Sequence, residues 1–578
     1  MNNDDLIGYY NKEINYLLNE GKLFSKQFPS LASKLIELGK KPESGGSSVN
    51  DGINRLIESF AFLTGRLQRQ TENLFPEVSY NLINSIYPNL LTDIPSITLL
   101  KFETDTKSQQ KIKFKEIPSR TKLYVKNTNG IECTFETFND FNFIPIKITK
   151  AKIVNGNEIA KSGFYLKLEM NFFGEKHNIP TEINFYTCGG NKFGIWDSVI
   201  SSIAKPAFIK YKNQDENELI ETNLLYNYIN NYANVTNSDY RNFEILKTFF
   251  TFPEMFLNFS VNINRFEEFF TLFIPINIDI TNFEVSETDI GTNVIPVINA
   301  YKKTSEPFTT ELTKTEYPII SDAEKLQFEK VLSIKKIIGI NPVTSEPMEI
   351  KNYFNNKSLT NFYWIENYHN NYSLNKPLKY IAFVAPNGDI EKLDNEIFYS
   401  EIICTNQNEA ELINSNSEFS CEISLPITSI HSLGNVSEYK TISQNGNLLL
   451  QLISYLSLNY LCFSTDADNF KDNITKLLNF FSEFFANKKF TQKIDEIKIT
   501  EKIRRSSNQV WISGIRGLNI DISFTYENLT SSIILTGGII AKLLCNYVST
   551  GQFIEVNIYQ KWNLLKTFKS SNGIELSL

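Results

Sequence analysis

The sequence predicts a multidomain α+β protein: an N-terminal helical segment, several β-rich domains, and an α+β domain at the C-terminus. Near the N-terminus, apolar residues recur every three or four positions, as in a helix covered along one side. From Ile97 onward they alternate with polar residues, which is typical of half-buried strands. The 578 residues suffice for about three to five domains. We expect domains at 1–95, 96–245, 246–440 and 441–578.

The N-terminal region, residues 1–95, is predicted to consist of amphipathic helices. One runs from Asp4 to Phe28, and a longer one covers the apolar stripe from Ile53 to Leu74. Pro76 suits the first turn of a shorter third helix, and Pro88 cannot continue it. Because these stripes need a cover, we expect them to bind a partner. The candidate partner-binding residues are Leu6, Tyr10, Leu17, Phe24, Ile57, Phe60 and Leu67.

The composition and charge of the chain argue against several classes of function. Hydrophobic residues make up 42% and charged residues 21%, which is ordinary for a folded globular protein. A net charge of -8 argues against nucleic acid as a partner. The acidic start MNNDDLIGYY does not resemble a signal peptide, and no apolar run reaches the roughly 18 residues of a membrane span. We therefore expect a cytoplasmic chain without direct membrane insertion.

The sequence lacks motifs for catalysis, cofactors or metals. His177, His369 and His431 lie far apart, and there is no HExxH, GxSxG, CxxC or phosphate-binding loop. The glycine-rich run at 188–194 does not have the spacing of a dinucleotide site. The six cysteines are unpatterned, which favours buried, reduced thiols. We predict no catalytic residue, no cofactor and no metal.

Other segments carry structural expectations. Phe250, Phe252, Phe256 and Phe259 cannot all face water, so they should fill a core or an interface. A polar stretch at 213–241 is predicted to be a loop with one short helix around 220–229. Helices are also predicted at 447–463, 477–485 and 538–548.

Short phrases along the chain, in a fixed order, resemble the TssF family (also ImpG or VasA) of type VI secretion baseplate subunits. They are RLIESFAFLTGRLQ from Arg55, FFTFPEMFL from Phe249, GTNVIPVINA from Gly291, EIICTNQ from Glu401 and RGLNIDISF from Arg516. Two positions depart from the family pattern. Val294 replaces a cysteine, which argues against chemistry there, and Gln407 replaces a basic residue, which puts an arginine contact in doubt.

The resemblance implies a structural wedge component. Two copies would pair with one TssG-like subunit through the N-terminal helices, together with a TssE-like protein and a TssK-like adaptor to the membrane complex. The wedges would form a ring around a spike hub, and the β domains would build the platform for tube and sheath. The resemblance thus implies recruitment to the inner face of the inner membrane and no bound nucleotide.

Two other readings stay open at this point. Tyrosine-rich β domains also bind sugars, so the chain could be a β-rich carbohydrate-binding protein or a glycoside hydrolase. That reading predicts a concave acidic cleft with a carboxylate of raised pKa. The third reading is a free-standing cytosolic scaffold unrelated to secretion.

Overall fold

The protein is described by a computed structural model that divides into two compact units, Met1–Pro88 with Ser443–Ser457, and Asn89–Ile442 with Leu458–Leu578. The described residues are 90–104, 114–175, 180–211, 219–226, 241–277, 285–340, 347–353, 362–371, 376–385, 396–442, 446–456, 467–486, 494–505, 514–525, 531–545 and 553–577, with short gaps at 312, 416, 561 and 572–573. Isolated described positions are Tyr10, Ser59, 61–64, Tyr80, 82–84, Ile112, Lys488, Phe490 and Gln492.

Among the described residues, strands far outnumber helices. The α-helices with described bounds are α1 (Lys192–Ser201), α2 (Arg241–Thr251), α3 (Gly446–Leu456), α4 (Ala467–Ala486) and α5 (Ile533–Cys545). Short 3-10 helices occupy Gly156–Ile159, Pro253–Phe256 and Gln407–Leu412. The strands, numbered β1 to β30 in chain order, form the sheets described below. The fold is therefore α+β and rich in strands, as predicted.

The first sheet joins strands from distant parts of the chain. Its spatial order is β24 (Ser420–Cys421), β3 (Lys122–Lys126), β4 (Glu132–Thr137), β15 (Val294–Ile298), β1 (Ile97–Thr104) and β25 (Ile427–Ser432). A two-stranded sheet of β2 (Lys115–Ile117) and β5 (Phe141–Phe143) lines the same core. Phe102, Phe135 and Phe143 are buried there, because alternate side chains of a strand point to one face.

Two further sheets lie next along the chain. One has the order β10 (Leu219–Thr222), β9 (Ala207–Tyr211), β13 (Phe269–Ile276), β7 (Phe164–Phe172) and β6 (Ile146–Asn155). The other has the order β11 (Leu224–Leu225), β12 (Asn258–Asn262), β8 (Glu182–Thr187) and β14 (Ile290–Thr292). The short helix expected around 220–229 is wrong for its described part. That part forms β10 and β11, because its backbone pairs with β9 and β12.

The next sheet, with eight strands, is the largest among the described residues. Its order is β16 (Tyr301–Thr304), β23 (Ile397–Thr405), β19 (Lys330–Ile340), β20 (Pro347–Asn352), β21 (Tyr363–Asn371), β22 (Lys376–Val384) and β18 (Tyr317–Pro318), with β17 (Phe308–Thr309) paired to β23. Phe398 is fully buried at its centre. A Cβ atom on Gly339 would lie 2.4 Å from the ring of Phe398. Only glycine therefore fits this position of β19.

The C-terminal sheet has helices on one face. Its order is β26 (Ile494–Arg505), β27 (Gly514–Phe524), β28 (Phe553–Gln560), β29 (Asn563–Ser571) and β30 (Ile574–Ser577). β27 and β28 are parallel, so the chain needs a crossover, which contains α5. α5 contacts β28, and α4 contacts β26. Ile520, Ile522, Val556 and Ile558 are buried beneath the helices.

The predicted C-terminal helices are confirmed with shifted bounds. α4 extends well beyond 477–485, and α5 begins at Ile533 rather than Gly538. The earlier start follows from capping, because Ser532 Oγ accepts a hydrogen bond from the Leu535 amide at 2.9 Å. The helix predicted at 447–463 is confirmed as α3 over its described part.

The predicted N-terminal helical segment lies mostly outside the described residues. Tyr10, Ser59, 61–64, Tyr80 and 82–84 are helical. The segment as a whole and the domain boundaries at 95, 245 and 440 stay predictions. Among the described helices, none combines the length and the apolar character needed to cross a membrane.

Candidate interaction surfaces

Three asparagines of the family-like phrases, Asn293, Asn299 and Asn406, are buried structural residues. Asn299 is fully buried, and its Nδ2 donates to the Thr134 carbonyl and to Asn406 Oδ1, each at 2.8 Å. Its Oδ1 accepts from Thr405 Oγ1 at 2.7 Å and from the Asn406 amide at 2.8 Å. Asn299 therefore joins β4 to the end of β23. The phrases from Gly291 and Glu401 meet at this pair of asparagines.

Asn293, also in the phrase from Gly291, likewise joins two distant segments of the chain through its side-chain amide. Its φ is 55°, in the left-handed region that asparagine tolerates better than most residues. Its Nδ2 donates to the Ile144 carbonyl at 2.7 Å, and its Oδ1 accepts from the Ile144 amide at 3.1 Å. The neighbouring Val294 is buried in the sheet core. This phrase therefore builds the fold around it.

The phenylalanine-rich phrase forms core, as expected. Phe256 and Phe259 are buried, and Phe252 is only 8% exposed. The ring of Phe259 stacks on Phe185 with centroids 5.5 Å apart. Phe250 is half-buried, with its ring 6.3 Å from that of Phe490. The prediction that these rings fill a core or an interface is confirmed as core for Phe252, Phe256 and Phe259.

The thiols and histidines are separated in the described structure. Burial raises the pKa of the Cys133 and Cys404 thiols to about 12 and that of Cys188 to about 11. These cysteines are unpaired with one another, which agrees with the predicted buried thiols. His431 lies on β25, with Nε2 3.8 Å from Glu103 Oε1, and His177 is outside the described residues. No group of three metal-binding side chains occurs among the described residues.

Burial raises the pKa of four described carboxyl groups, those of Glu136, Asp197, Glu396 and Glu411. Glu136 and Asp197 are held by structural partners. Burial raises the pKa of Glu136, whose Oε1 accepts the Lys302 amide at 2.8 Å. Burial raises the pKa of Asp197, on α1, to about 7. Asp197 accepts from the Ser532 hydroxyl and, at 2.9 Å, from the Ile533 amide. It therefore caps α5, as a structural carboxylate would.

A strap of extended chain, Thr92–Pro95, precedes β1 and is tied down by side chains. Asp93 Oδ2 accepts from Lys330 Nζ and from the Tyr439 hydroxyl, each at 2.5 Å. Lys247, on α2, donates to the Thr92 carbonyl and, at 3.2 Å, to Thr92 Oγ1. A cavity of about 220 Å³ lies beside the strap. The strap fixes where the chain enters the first sheet.

The helical unit exposes large apolar side chains. Leu63 is 54% exposed and Leu450, on α3, is 53% exposed. Phe62 and Leu82 are also exposed, whereas Ala61, Ile83, Leu449 and Leu452 are buried. Of the candidate partner-binding residues, Tyr10 is helical and half-buried, and the other six lie outside the described residues. Leu63 and Leu82 were not among the candidates, although the helical spacing of Leu63 pointed to it.

These observations define a class of protein: a strand-rich assembly subunit whose distinctive phrases build the fold. A family model described as type VI secretion system TssF matches residues 2–574. The chain therefore belongs to the TssF family and is a structural component of the type VI secretion baseplate. The resemblance drawn from the phrases is confirmed, and the sugar-binding alternative is not favoured.

Individual relatives agree with the family assignment. The type VI secretion system component TssF1 of Pseudomonas aeruginosa is 31% identical over 103 residues, an alignment that covers 18% of this chain and 16% of the relative. The fold is similar to a chain of a TssK-TssF-TssG baseplate subcomplex solved by cryo-electron microscopy, with a TM-score of 0.70 and 14% identity over 89% of this chain and 98% of that chain. A chain of a type VI baseplate complex gives a TM-score of 0.56 and 14% identity over 97% and 99% of the two chains.

Proposed function

We propose that this chain is a wedge subunit that pairs, in two copies, with one TssG-like subunit. The observation that carries the proposal is the helical unit, which exposes Phe62, Leu63, Leu82 and Leu450. Burying an apolar side chain contributes about 1.5–3 kcal/mol, so these residues favour association. The solved relative that shares this fold belongs to a complex of TssK, TssF and TssG, which supports the choice of partner.

The proposed binding region is the helical bundle of residues 1–95. Its contact residues are Leu6, Tyr10, Leu17, Phe24, Ile57, Phe60 and Leu67, to which we add Leu63. The proposed β-rich domains at 96–245 and 246–440 and the α+β domain at 441–578 form the platform for tube and sheath. The wedge also includes a TssE-like protein, contacts a TssK-like adaptor and surrounds a spike hub.

The proposed subunit acts by binding and not by catalysis. Force comes from contraction of the sheath, so the subunit needs no nucleotide, metal or other cofactor. It resides in the cytoplasm and is recruited to the inner face of the inner membrane by the adaptor, without inserting into the membrane itself. The family phrases support this proposal, because their described asparagines serve the fold.

The test is co-purification of tagged chain with the TssG-like subunit. Leu63→Asp places a charge on an exposed apolar position, so the chain should fold while the complex is lost. Leu412→Asp is the matched control, because Leu412 is also exposed, at 42%, on a β domain. Mass measurement of the wild-type complex should give two copies per partner.

Leu17→Asp and Phe60→Asp should also abolish assembly or folding. A complex that survives Leu63→Asp, Leu17→Asp and Phe60→Asp alike would refute the proposed interface. A stable 1:1 mass would refute the two-copy arrangement.

A further inference from the structure

The face of the C-terminal sheet opposite its helices is built from polar side chains. Asn519, Asp521 and Ser523 alternate along β27 with residues buried beneath the helices. The register places Lys498 of β26 and Asn557 of β28 beside Asp521. This face is therefore continuous across three strands.

Side-chain hydrogen bonds hold part of this face in place. Asn557 Nδ2 donates to Asp521 Oδ1 at 2.7 Å and to Asn519 Oδ1 at 3.0 Å. Asn519 Nδ2 donates to Asp521 Oδ1 at 3.2 Å, and Thr567 Oγ1 donates to Asn557 Oδ1 at 2.8 Å. Asp521 is thus fixed by two amide donors that both reach one of its oxygens. A carboxylate can accept about four hydrogen bonds, so Asp521 retains capacity for another donor.

A cavity of about 420 Å³ opens on this face. Its lining residues are Asp495, Glu496, Lys498, Asp521, Ser523, Tyr559 and Trp562. Among the described lining residues, three carboxylates therefore oppose one ammonium group. That group, Lys498 Nζ, lies 3.3 Å from Glu496 Oε1. The remaining carboxylates of the described lining are Asp495, which already accepts from the Thr525 hydroxyl, and Asp521.

Trp562 is the most unusual residue of the cavity. It is 89% exposed and occupies the tight turn between β28 and β29, where Gln560 pairs with Asn563. Its φ is 88°, a conformation that glycine or asparagine adopts far more easily than a bulky residue. The indole stabilises neither the turn, which favours glycine or asparagine, nor the core, from which it is exposed. Contact with another molecule would explain a tryptophan at this position.

We propose that this cavity binds an arginine- or lysine-bearing segment of another protein. The carboxylates provide charge complementarity and hydrogen-bond acceptors for a guanidinium or ammonium group. The Trp562 and Tyr559 rings provide surfaces for a cation. This surface is separate from the proposed N-terminal interface, so the chain has a second docking surface on its C-terminal domain.

The experiment uses the full chain and a fluorescent decapeptide of alternating glycine and arginine, followed by anisotropy. The peptide should bind, added salt should weaken it, and a glycine-glutamate decapeptide should not bind. Trp562→Gly should weaken binding by about two- to fivefold, and Asp521→Asn should weaken it as well. Glu501→Gln is the matched control, because Glu501 is an exposed carboxylate on the opposite face of β26 and its loss should leave binding unchanged.

A thermal melt separates binding from folding. Trp562→Gly should melt no lower than the wild type, because glycine suits the positive φ. A lower melting temperature would show that the indole serves the fold and would overturn the proposal. So would an arginine peptide that fails to bind, or one that binds the variants and the wild type equally.

Two further outcomes also count against the proposal. If Trp562→Gly abolishes self-association in sedimentation, the occupant is a second copy of this chain and not another protein. If the variants lose the TssG-like subunit, the surface is not a separate one. If the variants still co-purify with the TssG-like subunit, a loss of peptide binding can be assigned to the cavity and not to a failure of the proposed wedge function.

Discussion

The most informative side chains of this protein are buried polar groups with several partners each. Asn299 and Asn293 use both ends of their amides to join segments that are distant in the chain. Asp197 does the same with a carboxylate at the start of α5. A buried polar group that loses its partners costs far more than one net hydrogen bond contributes. These positions are therefore sensitive to small changes.

Asn299→Ala should destabilise the first sheet. It removes four hydrogen bonds and leaves the buried Asn406 amide without its acceptor, at a cost of about 3 kcal/mol. Thermal unfolding followed by circular dichroism should show a clearly lower midpoint. Asn142→Ala, at an exposed position of β5, is the control and should change little. Equal midpoints for the two variants would contradict the role of Asn299.

Asp197 predicts a specific pH dependence. Its pKa is raised by burial from 3.8 to about 7, so the folded chain holds a proton that the unfolded chain has released. Stability should therefore fall by up to about 1.4 kcal/mol per pH unit as the pH rises between these two values, and then level off. Asp197→Asn lacks this titration. The midpoint difference, wild type minus variant, should decrease from pH 5 to pH 8, and a constant difference would contradict the assignment.

Strands and helices gain their positions from a few fixed connections. The strap at Thr92–Pro95 is held by Asp93, Lys330 and Tyr439, so the entry of the chain into β1 is defined by partners more than 200 residues away. α5 contains Gly537, where a Cβ would lie 2.3 Å from Ile558. Glycine has a low intrinsic helix propensity, but at this position its missing side chain lets α5 pack closely on β28.

Asp93→Ala should loosen the strap. It leaves Lys330 Nζ, whose side chain is 13% exposed, without its carboxylate, and removing one partner of a buried ion pair costs about 3–5 kcal/mol. Amide hydrogen exchange over residues 92–97 should become faster. Glu438→Ala is the control, because that side chain is 69% exposed and 3.9 Å from Lys440. Unchanged exchange in Asp93→Ala would show that the backbone alone holds the strap.

At the level of the entire chain, most described large apolar side chains of the β domains are buried, whereas several in the short described part of the helical unit are exposed. The β domains enclose extensive cores around residues such as Phe135 and Phe398. The described part of the helical unit exposes Phe62, Leu63 and Leu82. An exposed apolar set of this kind is typical of a protein–protein interface. Binding of the proposed partner would bury these exposed side chains of the smaller unit.

Comparing amide hydrogen exchange of the isolated chain with that of the complex should show which residues the partner covers. Amides of residues 61–64 and 82–84 should exchange more slowly in the complex with the TssG-like subunit, because association buries their helices. Amides of β19 and β23 are the internal reference, since their core is already closed. Equal exchange at 61–64 in both samples would contradict the proposed binding region.

Much of the architecture could be predicted from local pattern. The alternation of apolar and polar residues from Ile97 onward predicted strands, and the structure contains strands there, for example β7 and β8. The spacing of Leu449 and Leu452 indicated a helix that is now α3, with both side chains buried. The region around 220–225 was misread, because its strands depend on backbone partners that sequence periodicity does not report.

The sequence by itself determined the family and the strand-rich α+β class, because each depends on short-range spacing or on the order of phrases. Only the tertiary structure decided what those phrases do. The meeting of Asn299 with Asn406, the capping of α5 by Asp197 and the cavity beneath Trp562 join residues that are distant in the chain. The physical reason is that hydrogen-bond partners, burial and charge balance are properties of neighbours in space, which strand pairing selects from far along the chain.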